Sequence, residues 1–266
     1  MSELNNVDTF LKKIAAGGVC VGCAITLSDP SISEIIAGAG YDFTWIDLEH
    51  SPLTLESALN HVIAVRGTQT APFIRVPWND PVLIKPVLEF APAAVIVPMV
   101  RTAEEAARAV SACKYPPAGV RGFGPRRGIG FGSMNSRAYL ASADRQTLVM
   151  IQIEHVDAVK NIEQIVATPG IDGVCIGPND LSGSMGKLCQ HDDPEVCAAI
   201  TRVLRATRQL GKLAGIAGMS DPKPLEMCLE AGAQWLTPSV DWGNLFAHGC
   251  ATLKSVRAAH EKRSST

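Results

Sequence analysis

Two stretches of this chain end an apolar, buried-looking run in a carboxylate. In residues 173–182 the run Val174-Cys175-Ile176 stops at Gly177-Pro178, and Asp180 follows in the turn. In residues 148–154 a continuous apolar run ends in Gln152-Ile153-Glu154. If both runs are neighbouring parallel strands, Glu154 and Asp180 arrive on one rim, within reach of a single divalent cation. Two hard oxygen ligands suit Mg²⁺ or Mn²⁺ and leave positions open for water and a chelating substrate such as a 2-keto acid. Strand-end acids are also common as helix caps or surface charges, so the pair alone leaves both readings open.

Other strand ends add to this set. Residues 43–47 read as a strand that delivers Asp47, Glu49 and His50, and residues 71–75 read as one that delivers Arg75. The fixed donor fork of Arg75 suits a carboxylate or a developing enolate, although it could equally pair with an acid on the rim. His50 is the one histidine at a strand end and the natural general base, with capping or packing as its alternative. A Schiff-base mechanism would need a lysine projecting from a strand, and the strands carry none.

The elements that must hold these residues alternate along the chain. Strands are expected at 19–26, 43–47, 71–75, 94–97, 148–153, 173–176, 213–216 and 235–238. Helices are expected at 31–39, 54–66, 81–90, 102–113, 136–141, 156–166, 194–210 and 222–231. A lead-in helix over 6–16 and a last helix over 242–260 flank them, and the whole of 1–266 reads as one domain. Eight strands alternating with helices predict an α/β fold, a (β/α)₈ TIM barrel, whose chemistry sits at the C-terminal rim. Residues 114–134, rich in Gly, Pro and Arg, break the rhythm and read as a long functional loop. Arg121, Arg126 and Arg127 would there meet an anionic substrate or a neighbouring subunit. Its glycines do not follow a strand as a dinucleotide fingerprint requires.

Composition narrows the classes. The 266 residues are 47% hydrophobic with a formal charge of −2, which gives no reason to expect nucleic acid or membrane partners. The polar start and the lack of a long apolar run argue against a signal peptide or span, and a cytoplasmic place is expected. The eight cysteines read as reduced. Cys20-Val21-Gly22-Cys23 has clip spacing, but residues three apart on a strand face opposite ways, so packing is expected.

Taken together, the segments Ile46-Asp47-Leu48-Glu49-His50, Arg75-Val76-Pro77-Trp78-Asn79-Asp80-Pro81, Tyr115-Pro116-Pro117-Ala118-Gly119-Val120-Arg121-Gly122, Gln152-Ile153-Glu154 and Ile176-Gly177-Pro178-Asn179-Asp180-Leu181-Ser182 resemble the HpcH/HpaI aldolases. These are metal-dependent class II pyruvate aldolases, and the resemblance runs from about residue 17 to 256. It implies cleavage of 4-hydroxy-2-keto acids to pyruvate and an aldehyde, with oxaloacetate decarboxylation through the same enolate. The metal, Mg²⁺ or Mn²⁺ with Co²⁺ a third choice, would be held by Glu154 and Asp180. Arg75 would bind the pyruvyl group, Gln152 would orient ligands, and backbone N–H groups near Asn179 and Asp180 would receive the substrate carboxylate. His50, with a carboxylate partner, would act on the C4 hydroxyl. The resemblance also implies a homo-hexamer, a trimer of dimers that exchange the last helix.

The chain departs from the family pattern in places. Where relatives commonly have Leu-Leu-Asp-Xaa-Gly, this chain has Val87-Leu88-Glu89-Phe90-Ala91, which makes Glu89 the carboxylate expected to partner His50. Asn179 stands where alanine is frequent. Two rival readings share the residues: a decarboxylase or C–C bond-forming enzyme of the macrophomate synthase kind, and a non-catalytic keto-acid-binding barrel.

Overall fold

In the computed structural model, which describes residues 4–264, eight parallel strands close into a barrel in sequence order. They are β1 (Cys20–Ile25), β2 (Phe43–Asp47), β3 (Ala71–Arg75), β4 (Ala94–Val97), β5 (Leu148–Ile153), β6 (Gly173–Ile176), β7 (Leu213–Ala217) and β8 (Trp235–Val240). The outer ring contains α2 (Ser31–Gly38), α3 (Leu55–Ala64), α4 (Pro81–Leu88), α5 (Ala103–Cys113), α6 (Ser136–Gln146), α7 (Val156–Lys160), α8 (Ile162–Val166), α9 (Pro178–Ser184), α10 (Pro194–Gln209) and α11 (Pro222–Glu230). Before it comes α1 (Val7–Ala15), and after it α12 (Asp241–Ser264). The (β/α)₈ barrel is the expected fold. Among the described residues no helix is long and apolar enough to cross a membrane.

Side-chain alternation along the strands makes two cores. Ile46, Ile74, Val95, Val97, Val149 and Ile151 face outward and pack with the helices. Phe43, Trp45, Phe73, Met150, Cys175 and Trp235 face inward, where Phe10 of α1 joins them from below. The Phe43 and Phe73 rings stack at 4.8 Å, and Phe10 meets Phe73 edge-on at 4.9 Å. Rings this large fit because Gly22 and Gly215 have no Cβ: one there would run into Phe43 or Trp235. The N-terminal half of the barrel is therefore solid. The same two-residue period carries Asp47 after Trp45, Arg75 after Phe73, and Gln152 after Met150 into the opposite end.

Helix starts follow the sequence signals. Thr54, Asp80 and Thr102 each cap a helix by accepting an N–H, from Ser57, Val82 and Glu105 respectively. Cys20 lies in the inner core and Cys23 in the outer one, as the strand period requires.

Three expectations are corrected. The helix expected over 156–166 is two short ones, α7 and α8, broken at Asn161 (φ −95°, ψ 10°), whose side-chain amide donates to the Arg101 carbonyl at 3.0 Å. Asp180 lies not in an open turn but in the first turn of α9, where Pro178 needs no N–H partner. The helix expected to stop at 141 continues to Gln146 as α6. Loop 114–134 leaves the C-terminal end of α5 and lies on the N-terminal face, with Tyr115 packed against Tyr139 of α6.

Candidate active site

Asp47 and Arg75 are cross-strand partners in the β2–β3 register, both pointing inward. Arg75 donates from Nε to Asp47 Oδ1 at 3.0 Å and from Nη2 to Oδ2 at 2.6 Å. Its remaining nitrogen, Nη1, lies 2.9 Å from Glu49 Oε2, off the hydrogen-bonding direction, and 3.5 Å from Gln152 Oε1. The guanidinium sits 5.3 Å from the Trp45 ring centroid. Burial alone would lower the Arg75 pKa. The hydrogen bonds and charge of Asp47, with the charges of Glu49 and Glu154, more than reverse this. Arg75 is therefore a fixed cation whose orientation is set by Asp47.

Glu154, one residue past β5, is 2% exposed. Its Oε1 accepts a short hydrogen bond from Gln152 Nε2, and its Oε2 accepts from the Met99 N–H at 3.1 Å. Gly177 lies against it: a Cβ there would strike Glu154 Oε1 and come within 2.8 Å of Gln152 Nε2. Burial and the neighbouring charge of Glu49 raise the Glu154 pKa to about 7, against the pull of Met99 and Arg75, and Asp180 adds to the rise. Glu49 is itself pushed up, first by burial, with Arg75 and His50 opposing. Four acids, Asp47, Glu49, Glu154 and Asp180, are thus grouped around a single guanidinium. Among the described residues, no three His, Cys, Asp or Glu side chains form a complete metal cage. Glu154 and Asp180 supply hard oxygens beside excess negative charge, a donor set that fits a divalent cation sharing its remaining positions with water and substrate.

His50 is exposed, its Nε2 3.9 Å from Glu49 Oε2. Glu89 does not meet it within the chain: it caps the C-terminal end of α4, at the other end of the barrel wall, and pairs with Arg121 at 3.3 Å. Asn179 Oδ1 lies 2.6 Å from His191 Nε2 and accepts from it in the tautomer that carries the proton there. The Asn179 and Asp180 N–H groups lie in the first turn of α9, where no intrahelical acceptor is available to them. Beside Arg75 opens a cavity of about 490 Å³ walled by Trp45, Ala24, Thr237, Ser239 and Asn244.

The description "HpcH/HpaI aldolase/citrate lyase" belongs to the family model that matches residues 21–247. The chain belongs to this family. It is 37% identical to the hydroxypyruvate/pyruvate aldolase of Roseobacter denitrificans over 95% of this chain and 96% of that protein. It is 38% identical to the 4-hydroxy-2-oxo-heptane-1,7-dioate aldolase of Shigella sonnei over 88% of this chain and 89% of that one. Among solved structures, an HpcH/HpaI aldolase from Desulfitobacterium hafniense superposes with a TM-score of 0.86 at 31% identity, covering 93% and 96% of the two chains. Macrophomate synthase, at 24% identity and a TM-score of 0.83, shares the fold.

For an HpcH/HpaI aldolase the candidate residues Arg75, Gln152, Glu154 and Asp180 lie at the expected end of the barrel. Sequence reasoning gave no role to Asp47, Glu49, Met99 or Gly177. Asp47 and Glu49 could be seen at the strand end, but their partner could not. Only the position of Gly177 directly after a strand hinted at close packing. The role of Met99 could not be seen, since its backbone alone is engaged.

Proposed function

We propose that this chain is a divalent-metal-dependent aldolase cleaving 4-hydroxy-2-keto acids to pyruvate and an aldehyde. Membership of an aldolase family supports this, and the observation that carries it is the buried, raised-pKa Glu154 set beside Arg75 and Asp180. Glu154 and Asp180 would hold the cation, Mg²⁺ or Mn²⁺, with Gln152 fixing the Glu154 carboxylate. When bound, the cation would supply Lewis-acid stabilisation of the negative charge that develops on the 2-keto oxygen.

The chain's own groups then have distinct tasks. Arg75, already oriented by Asp47, would bind the keto-acid end. The free N–H groups of Asn179 and Asp180 would donate to its carboxylate. His50 would take the C4 hydroxyl proton, directly or through water, as the C3–C4 bond breaks. The electron pair of that bond moves to C3 and the keto oxygen, the aldehyde leaves, and C3 regains a proton to give pyruvate. The cavity walled by Trp45, Ser239 and Asn244 would house the aldehyde portion. Glu89 retains a part in the base only if another copy presents it to His50, since in one chain it serves Arg121.

A homo-hexamer that exchanges the last helix belongs to the same reading. Leu245, Phe246, Leu253 and Val256 of α12 are all exposed on one chain, which supports burial of this helix against another copy. A cytoplasmic place is in keeping with eight unpaired cysteines.

The test is pyruvate release from a panel of 4-hydroxy-2-keto acids, oxaloacetate and hydroxypyruvate-derived aldols, with and without chelator. Activity on the aldols that chelation abolishes and Mn²⁺ restores supports the proposal. Turnover of oxaloacetate alone would replace it with a decarboxylase, and turnover of nothing with a binding barrel.

A further inference from the structure

A second cavity, of about 670 Å³, opens on the N-terminal face, at the far end of the barrel from Arg75 and Glu154. It is bounded by α1, the turn between α3 and β3, and loop 114–134. Its charged lining consists of Lys12, Arg66 and Arg127 on one side of the balance and Asp8 on the other. Gln69 and Thr9 add neutral hydrogen-bonding groups.

Arg127 is the residue that asks for a ligand. It is 5% exposed, and its Nε and Nη2 are buried with no hydrogen-bond partner. Burial and the nearby Arg66 both depress its pKa. A buried guanidinium without an acceptor is costly, and native structures rarely keep one. The contrast within the same loop is direct. Arg121 reaches the Leu88 carbonyl at 3.1 Å and Glu89 at 3.3 Å, and lies 4.4 Å from the Tyr115 ring centroid.

We propose that this cavity binds a phosphate group. Two guanidinium forks and a lysine against one acid match a multiply charged tetrahedral oxyanion better than a lone carboxylate. The volume exceeds that of a bare phosphate and leaves room for the organic body of a small phosphomonoester. The site shares no residue with the keto-acid site, so it stands or falls independently of the aldolase reading.

The experiment is thermal unfolding and titration calorimetry of the full-length protein in chelator, which keeps phosphate from bridging to Glu154 through a cation. Inorganic phosphate and glycerol 3-phosphate are compared with chloride at equal ionic strength. A saturable rise in Tm with both ligands, lost or weakened about tenfold in Arg66→Ala, supports the site with free phosphate as a sufficient ligand. The same response to glycerol 3-phosphate only supports it with a phosphometabolite as the ligand. Arg127→Met should abolish the response without lowering the Tm of the unliganded protein, because it removes an unpaired buried charge. If Arg127→Met does not fold, the exposed Arg66 variant decides. A response equal to that of chloride, or one unchanged in Arg66→Ala, overturns the proposal.

Discussion

The backbone N–H of Met99 donates to Glu154 Oε2 at 3.1 Å, and Met99 holds the left-handed conformation (φ 58°). A non-glycine residue there is strained by about 1 kcal/mol or more, and the strain aims an N–H at the carboxylate. Met99→Gly should keep the hydrogen bond and the activity, and stability should stay level or rise. Met99→Val, β-branched in the same conformation, should lose about 1–3 kcal/mol and much of the activity. Urea denaturation and pyruvate release measure both. Equal behaviour of the two variants would show that the conformation does not matter.

The raised pKa of Glu154 makes stability and metal affinity depend on pH in opposite directions. The ordinary value is 4.5 and the folded value about 7, so the folded chain binds this proton more tightly than the unfolded one. Stability of the metal-free protein is therefore fully present below pH 4.5 and is lost as pH rises through about 7, on the order of 3 kcal/mol from this group. Metal needs the carboxylate, so Mn²⁺ affinity should weaken as pH falls below about 7. Glu154→Gln should flatten the stability slope and lose metal together with all activities. An unchanged slope in that variant would remove Glu154 as its source.

Gly177 gives the Glu154 carboxylate its room. A methyl group there collides with Glu154 Oε1 and Gln152 Nε2. Gly177→Ala should leave the barrel folded, at a cost of about 1–3 kcal/mol, while lowering activity at least tenfold and weakening Mn²⁺ binding. Circular dichroism, a Mn²⁺ titration and kcat for pyruvate release separate the effects. Full activity would mean that Glu154 moves without consequence.

How much of this was legible in the sequence follows from what each feature depends on. Strands β2, β3 and β4 could be placed to the residue because β-branched and apolar runs end in abrupt polar or proline stops. Glu154 and Arg75 could be placed because a strand delivers its last residues to the rim. The break at Asn161 and the short α9 were hidden, since both depend on tertiary hydrogen bonds or on one proline's freedom from pairing. The family motif pointed to Glu89 as the partner of His50, but partnership is a matter of space. Within one chain the end of α4 lies far from the end of β2 and loop 114–134 brings Arg121 to Glu89, so only another copy could set Glu89 beside His50.

Asp47 sets the direction of Arg75 through two hydrogen bonds in a buried pair. Removing its charge leaves the guanidinium with Glu49 and Glu154 alone, and Arg75 should swing toward Nη1 contacts. Asp47→Asn is expected to lose about 3–5 kcal/mol of stability and to raise KM for the keto acid more than it lowers kcat, because binding geometry is what the pair controls. Arg75→Lys, a point charge in place of a fork, should show the same KM effect with a larger fall in kcat. Steady-state kinetics on both variants give the comparison, and an unaltered KM in Asp47→Asn would deny it the positioning role.

His50 is tested by the difference between two reactions at one site. Cleavage of a 4-hydroxy-2-keto acid requires loss of the C4 hydroxyl proton, whereas oxaloacetate decarboxylation has no such proton to remove. His50→Ala should therefore lower aldol cleavage by about 10²-fold or more and leave decarboxylation within a few-fold of the parent. The carboxylate behind His50 is read from two further variants. Glu49→Gln removes the acid 3.9 Å from Nε2 in the same chain, and Glu89→Gln removes one that only another copy could bring to it. If Glu89→Gln impairs cleavage selectively while the assembly stays intact by sedimentation, the dyad crosses a subunit boundary. If only Glu49→Gln does so, the base is complete within one chain. Parallel loss of both reactions in His50→Ala would place His50 in substrate binding instead of proton transfer.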